Sequence, residues 1–335
     1  MKPWLLLLFI SLTCGAAKAD PWLVFHPPAA TAPPKHIVLL AGDEEYRSEE
    51  GLPMLARLLA QKHGFRCTVL FSIDPRDGTI DPNNQTNVPG MHHLAGADLV
   101  ILQFRFRELP DADMRYFVDY LQAGKPLIAL RTATHAFQYS RNPQSPYAHF
   151  DWRSRSWPGG FGQQVLGETW VAHHGDHGRE STRGLVDGRF ADHPVLRGVR
   201  DVWGPSDVYT VRHLRPTDQV LMHGLVLRGM RPDSPPHFEK PLMPLVWIRD
   251  YTWNNGRTTR ALTSTIGAAV DLESEDLRRL LINACYWLTG RDVPDHADAT
   301  PVGEYRPTMF GFDRFVRGRK PADLLAPLTP RSPDP

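Results

Sequence analysis

The sequence predicts an α/β protein built on a mostly parallel sheet. Three observations carry this. Short apolar runs of strand length end abruptly in polar clusters, as strands buried on both faces do. Each run alternates with a segment whose apolar residues recur at helical spacing. Three such strand–helix units follow one another within about 100 residues, the rhythm of parallel crossover units.

In chain order, residues 20–35 carry Pro21, Pro27, Pro28, Pro33 and Pro34 and read as an extended lead-in. His36–Ala41 is the first strand. Ser48 is the expected N-cap of the following helix, with Glu49 and Glu50 in its first turn, where carboxylates favour the helix dipole. Leu52, Leu55, Leu58 and Leu59 mark its buried stripe, and His63-Gly64 its end. Phe65–Phe71 is the second strand, and Asp74–Gly90 is a loop by its Asp, Pro, Asn and Gly content. Ala97–Leu102 is the third strand, and Gln103-Phe104-Arg105-Phe106-Arg107 follows it. Pro110 opens a helix striped by Met114, Phe117, Val118 and Leu121 and ended by Gly124. Leu127–Leu130 is the fourth strand and breaks into Arg131-Thr132-Ala133-Thr134-His135. Beyond Phe137 the pattern loosens. Phe161–Leu166 reads as a short helix, and Thr169–His174 as a strand ending in Gly175-Asp176-His177-Gly178. Residues 179–215 read as short strands and turns. Strands are expected at 220–227, 245–249 and 260–266, the last after an Asn254-Asn255-Gly256 turn. Ser274–Leu288 is an amphipathic helix opened by Glu273, Glu275 and Asp276 and followed by Gly290. From Arg291 to residue 335 the chain is a polar, Pro-rich surface tail.

The composition, 41% hydrophobic and 22% charged, allows a sizeable core, and a formal charge of +1 gives no footing for a nucleic-acid partner. Lys2, the apolar run Trp4–Leu12 and the small-residue site Ala17-Lys18-Ala19 form an export signal over residues 1–19, so the mature chain is expected to begin near Asp20. That run is too short for a stable membrane span. The expected location is periplasmic or extracellular. Ser11-Leu12-Thr13-Cys14 is a poor lipoprotein signal. Cys67 and Cys285 sit among apolar neighbours; they read as buried hydrophobes, with a disulfide open to an oxidising compartment.

Several chemistries are excluded by what is missing. There is no G-x-G-x-x-G and no G-x-x-x-x-G-K-[ST], whose glycines let backbone amides approach phosphates. There is no G-x-S-x-G elbow and no C-x-x-C pair. In an open α/β sheet ligands bind beyond the carboxyl ends of strands, which singles out Arg131, the hydroxyls after it and His135. Arg131 could equally cap its strand. Of the histidines, His135, His173, His174 and His177 end predicted strands, whereas His193 and His223 read as structural. His173 and His174, adjacent on a strand, would point to opposite faces, so one of them faces a given pocket. Glu44, Glu45, Asp176 and Asp207 lie in loops near strand ends, among Trp152, Trp157, Trp170, Trp203 and Tyr209. Aromatic faces with polar partners suit sugar rings, though the same side chains could simply pack long loops.

Five segments in this order resemble the trehalose-utilisation (ThuA-like) family: Gly42–Glu50, Leu130–Phe137, Leu166–Gly175, Asp192–Val195 and Ser206–Tyr209. The resemblance spans roughly residues 36–290. It implies a flavodoxin-like fold of the class I glutamine amidotransferase-like type, with helices on both faces and long loop insertions. It also implies a role in sugar metabolism, on keto-sugars or glycosides. Two departures stand out. Arg131 and Thr132 occupy positions where family members often carry His and Ser, and the cysteine nucleophile of the amidotransferases is missing, which argues against glutamine hydrolysis. On this footing the expected protein acts on a small-molecule carbohydrate by acid–base chemistry, assisted or not by a divalent metal. Arg131 would stabilise developing negative charge. His135 and one of His173 and His174 would be base or ligand, with His135 and His174 as the metal pair. Glu44, Glu45, Arg105, Thr132, Trp170, Asp207 and Tyr209 would contact the sugar. A non-catalytic sugar-binding protein and an interaction module are the rival readings.

Overall fold

The computed structural model describes residues 20–28 and 33–325; the predicted export signal lies outside the described residues. Ten strands form one sheet: β1 Trp22–Phe25, β2 His36–Gly42, β3 Arg66–Phe71, β4 Leu99–Phe104, β5 Leu127–Leu130, β6 Ser181–Val186, β7 Trp203–Gly204, β8 Gln219–Leu227, β9 Met243–Thr252 and β10 Thr258–Ser264. Their order is β1-β3-β2-β4-β5-β10-β9-β8-β6-β7. The inner strands β3-β2-β4-β5-β10 run parallel. The remaining pairings are antiparallel. The sheet is therefore mixed, not mostly parallel. The physical reason is local. After β5 the crossover helices stop, and β9 and β10 close a hairpin at Gly256 (φ 79°), which antiparallel strands can do and parallel ones cannot.

The continuous apolar runs are explained by helices on both faces. Ile37, Leu39 and Ala41 of β2 pack with the helices α1 (Ser48–His63) and α3 (Glu275–Leu288). Val38 and Leu40 pack on the other side with α2 (Asp111–Gln122). Each residue of such a strand is buried, so apolar side chains do not alternate with polar ones.

Four local expectations change. The lead-in contains β1, paired antiparallel with β3 along the sheet edge. The N-cap of α1 is Arg47, in the left-handed region at φ 57°, and Ser48 instead accepts a hydrogen bond from the Asp43 amide (3.1 Å). The 161–166 segment is a single π-turn, Gly162–Leu166. Thr169–His174 joins no ladder; His173 alone bridges Tyr209. The α3 start is as expected, with Ser274 capping the Leu277 amide (3.3 Å). Cys67 and Cys285 are buried and free. Among the described residues no helix is long and apolar enough to cross a membrane.

In chain order the inner parallel strands read 2-1-3-4-5 across the sheet. The order reverses between β2 and β4, and ligands of open α/β sheets bind outside the carboxyl ends at such a point.

Candidate active site

Strand register assembles the site. Gly42 lies opposite Phe104, which brings the loop after β2 beside Arg105; Leu130 lies opposite Ser264, which brings Arg131 beside Thr265. The β2–α1 loop is held by Asp43, whose Oδ1 accepts from the amides of Glu45 (2.7 Å) and Tyr46 (2.6 Å) and whose Oδ2 accepts from the Thr132 hydroxyl. An Asx turn thus folds this loop and turns its amides onto Asp43. Thr132 is fully buried in that bond, so it shapes the floor of the site and does not face a ligand.

Glu44 is likewise occupied. Its two oxygens accept from Arg105 Nη1 (2.8 Å) and Arg107 Nη2 (2.7 Å). Burial raises its pKa, against the pull of Arg107 and Arg105. Glu44 holds Arg105 at the rim, where the guanidinium lies over the rings of Phe106 (4.4 Å) and Phe312 (5.0 Å).

Arg131, at φ 44°, is fully buried. Its Cζ lies 4.0 Å from the ring centre of Tyr46 and 4.4 Å from that of Tyr209. Nη1 donates to the carbonyls of Asp207 (2.7 Å) and Thr265 (2.8 Å); Nη2 donates to Tyr46 Oη (2.9 Å) and Asp207 Oδ1 (2.9 Å). All four terminal hydrogens are engaged inside the protein. The Nη hydrogens fix Asp207 and the neighbouring carbonyls, and among the described residues Nε is left as the one buried N–H of this guanidinium without a partner.

Asp207 is the hub. Burial alone would raise its pKa, but Arg131, His173 and His177 together hold the carboxylate well below its usual range. It accepts from His173 Nδ1 (2.6 Å) through Oδ2 and from His177 Nδ1 (2.9 Å) through Oδ1. His177 Nε2 lies 3.2 Å from Glu45 Oε1. Hydrogen bonds to Asp207 and Glu45, opposed by partial burial, raise the His177 pKa to about 9. His177 is therefore a cation at neutral pH, ring to ring 4.6 Å from His173. The tight loop carrying both needs Gly175, because a Cβ there would sit 2.9 Å from Asp207 Cβ.

The predicted residues separate accordingly. Arg131, His173, Asp207, Tyr209, Glu45, Trp170 and His135 are brought together. His135 is caged by Phe106 (5.1 Å), Trp170 (5.2 Å) and Tyr209 (6.2 Å), and burial, with Arg105, Arg131 and His173, keeps it neutral. His174 turns away and bonds to the Pro241 carbonyl (2.8 Å). The predicted metal pair His135 and His174 is thus not what the fold assembles. His173, His177 and Asp207 instead place one donor atom each within 4.8 Å of one another. Two imidazoles and a carboxylate suit a first-row divalent ion. Against this, the carboxylate already bonds directly to both rings and shares Arg131's charge.

Three participants carry no role assigned from the sequence. His177 stands there with His135, His173 and His174 at predicted strand ends, without a task of its own. Tyr46 lay in an acidic stretch. Phe310 comes from the predicted surface tail, yet it is buried against Tyr46 (5.4 Å) and His177 (5.1 Å).

No protein-family model and no curated protein matches the chain. Solved structures do. A ThuA-like protein from Parabacteroides merdae superposes with a TM-score of 0.50 at 16% identity, covering 84% of this chain and 98% of that one. A ThuA-like protein from Bacteroides uniformis gives 0.48 at 15% identity, covering 79% and 95%. The chain is similar in fold to ThuA-like proteins.

Proposed function

We propose that the protein is an exported enzyme that acts on a carbohydrate, a keto-sugar or glycoside, by acid–base chemistry on a flavodoxin-like scaffold of the class I glutamine amidotransferase-like type. The strand order 2-1-3-4-5 supports the scaffold. The single observation that carries the chemistry is the buried Asp207 carboxylate, pinned by Arg131 and accepting the Nδ1–H of His173. A carboxylate in that position fixes the imidazole tautomer and leaves Nε2 as the basic edge. His173 is then the general base and Asp207 its positioning residue. The protonated His177, bonded to both Asp207 and Glu45, fixes the loop beside His173. Trp170, flanking His173 at 4.8 Å, offers a face for the sugar ring.

The test is turnover of a panel of keto-sugars and disaccharides by the purified chain, with solvent-deuterium incorporation read by NMR. Conversion lost in His173→Ala supports the proposal. Binding without conversion would favour the sugar-binding protein, and neither binding nor conversion would sink the carbohydrate reading. The donor cluster of His173, His177 and Asp207 favours a second version, in which a divalent ion held by these residues supplies Lewis acidity. Metal analysis of the purified protein and loss of conversion with chelator distinguish it. Export is tested by N-terminal sequencing of the secreted chain, expected to start at Asp20.

A further inference from the structure

A cleft of about 420 Å³ lies at the amino ends of β2 and β3. It is about 20 Å along those strands from their carboxyl ends, where Asp43 and Arg131 stand. His36 opens β2 and Arg66 opens β3, opposite each other in register. His92 and His93 come from the 3₁₀ turn Met91–Gly96, pinned to the core by the buried Met91 and Leu94. Trp22 of β1 packs edge-on against both imidazoles, at 5.6 Å and 5.0 Å. It comes this close because Gly90 has no Cβ, which would sit 2.9 Å from the indole. The two imidazoles are thus held in fixed positions.

Some polar groups of this cleft are spent. His36 Nε2 bonds to Thr68 Oγ1 (2.8 Å). Asp98 accepts from Lys35 Nζ (2.9 Å) and from the His36 amide (2.8 Å). Two others are not. Arg66 Nε and His93 Nε2 are buried without a hydrogen-bond partner among the described residues, where Arg66 also makes no ion pair. A buried N–H left unpaired is costly, and native proteins keep few. The electrostatics agree with this geometry. Burial and then Arg66 lower the His36 pKa to about 4. Burial, with His92 and Arg66, lowers that of His93 against the pull of Asp20. An anion there meets a permanent guanidinium, and its charge favours the protonated imidazoles that Arg66 disfavours.

We propose that this cleft binds a small molecule through an oxyanion, a phosphate or carboxylate group, with Arg66 Nε and His93 Nε2 as its donors. A guanidinium edge presents two parallel N–H groups to a pair of oxygens, which suits both groups. The site stands at the opposite end of the strands from Arg131 and is independent of the carbohydrate reading.

The test is titration of the full chain with inorganic phosphate and, separately, with acetate, read by NMR on the imidazole signals of His92 and His93. In wild type at least one anion should give saturable shifts and raise the His93 pKa. Arg66→Gln should weaken that binding at least about tenfold, the worth of one charge-assisted hydrogen bond. Arg66→Lys, which keeps the charge without the fork, should fall between the two. If circular dichroism shows that Arg66→Gln does not fold, His93→Gln takes its place with the same expected loss, read on His92. Saturation by phosphate alone assigns a phosphoryl group, by acetate alone a carboxylate, and by both a general oxyanion site; each supports the proposal. Shifts that grow without saturating, no shift with either anion, or an affinity unchanged in Arg66→Gln would overturn it, and the carbohydrate reading would stand.

Discussion

Asp207 and Arg131 are both fully buried and 2.9 Å apart, so each is tolerable only because of the other. Breaking such a pair leaves an uncompensated buried charge, which costs about 3–5 kcal/mol. Asp207→Asn should therefore lower the urea midpoint as well as activity, which makes it a poor probe of catalysis. His173 is the better one, since its side chain is about one-third exposed (34%) and the buried pair survives its loss. His173→Gln should reduce turnover by about 10²–10⁴-fold, the usual worth of a general base, with the unfolding midpoint nearly unmoved. His177 gives a pH signature. Its folded pKa of about 9 lies above the ordinary 6.5. Its contribution to stability is thus complete below pH 6.5 and lost as pH rises through 9. Melting curves from pH 6 to 10 should show this decline, and His177→Gln should flatten it; an unchanged slope in the variant would rule the assignment out.

At the scale of elements, the first turn of α1 shows two effects in competition. A carboxylate there gains about 0.3–1 kcal/mol from the helix dipole. Glu49, however, is buried with neither oxygen hydrogen-bonded, and the nearest cation is Arg47 Nε at 3.6 Å. Burial wins and raises its pKa to about 7. The folded state thus resists ionisation, and stability present below pH 4.5 is lost as pH rises through 7. Glu49→Gln should raise the melting temperature at pH 8 and make little difference at pH 4. The π-turn Gly162–Leu166 supports the site from beneath. A Cβ on Gly162 would lie 1.9 Å from the Thr134 carbonyl oxygen, in the turn that carries Arg131 and His135. Gly162→Ala should cost at least about 1–3 kcal/mol by overpacking, read by urea unfolding, and should displace that turn. Both facts were hidden in the sequence. A glutamate after a helix start looks the same whether water or protein covers it. A lone glycine does not announce which backbone approaches it.

For the whole molecule, the consequential finding is that residues 308–311 close over the β2–α1 loop and the start of α1. Phe310 joins Tyr46, Ala268 and Val270 in a small cluster apart from the two main cores. Phe310→Ala should destabilise by about 3–5 kcal/mol and weaken sugar binding together, because the same ring packs on His177. A stability loss with sugar affinity intact would separate the tail from the site.

The sequence by itself determined β2 to β5, β8 to β10 and the three helices with their approximate limits. Their apolar spacing is a local consequence of burial on one face or two, and Gly124, Gly290 and Ser274 mark ends by local geometry. It also located the carboxyl end of β5 as the place to look. Only the tertiary structure decided that Arg131 is spent on Asp207, that His177 and not His174 stands beside His173, and that the tail belongs to the site. Those outcomes depend on contacts between residues far apart in the chain, such as 131 with 207 and 177 with 310. Periodicity does not record such contacts, because it reports which face of an element is buried and not what covers it.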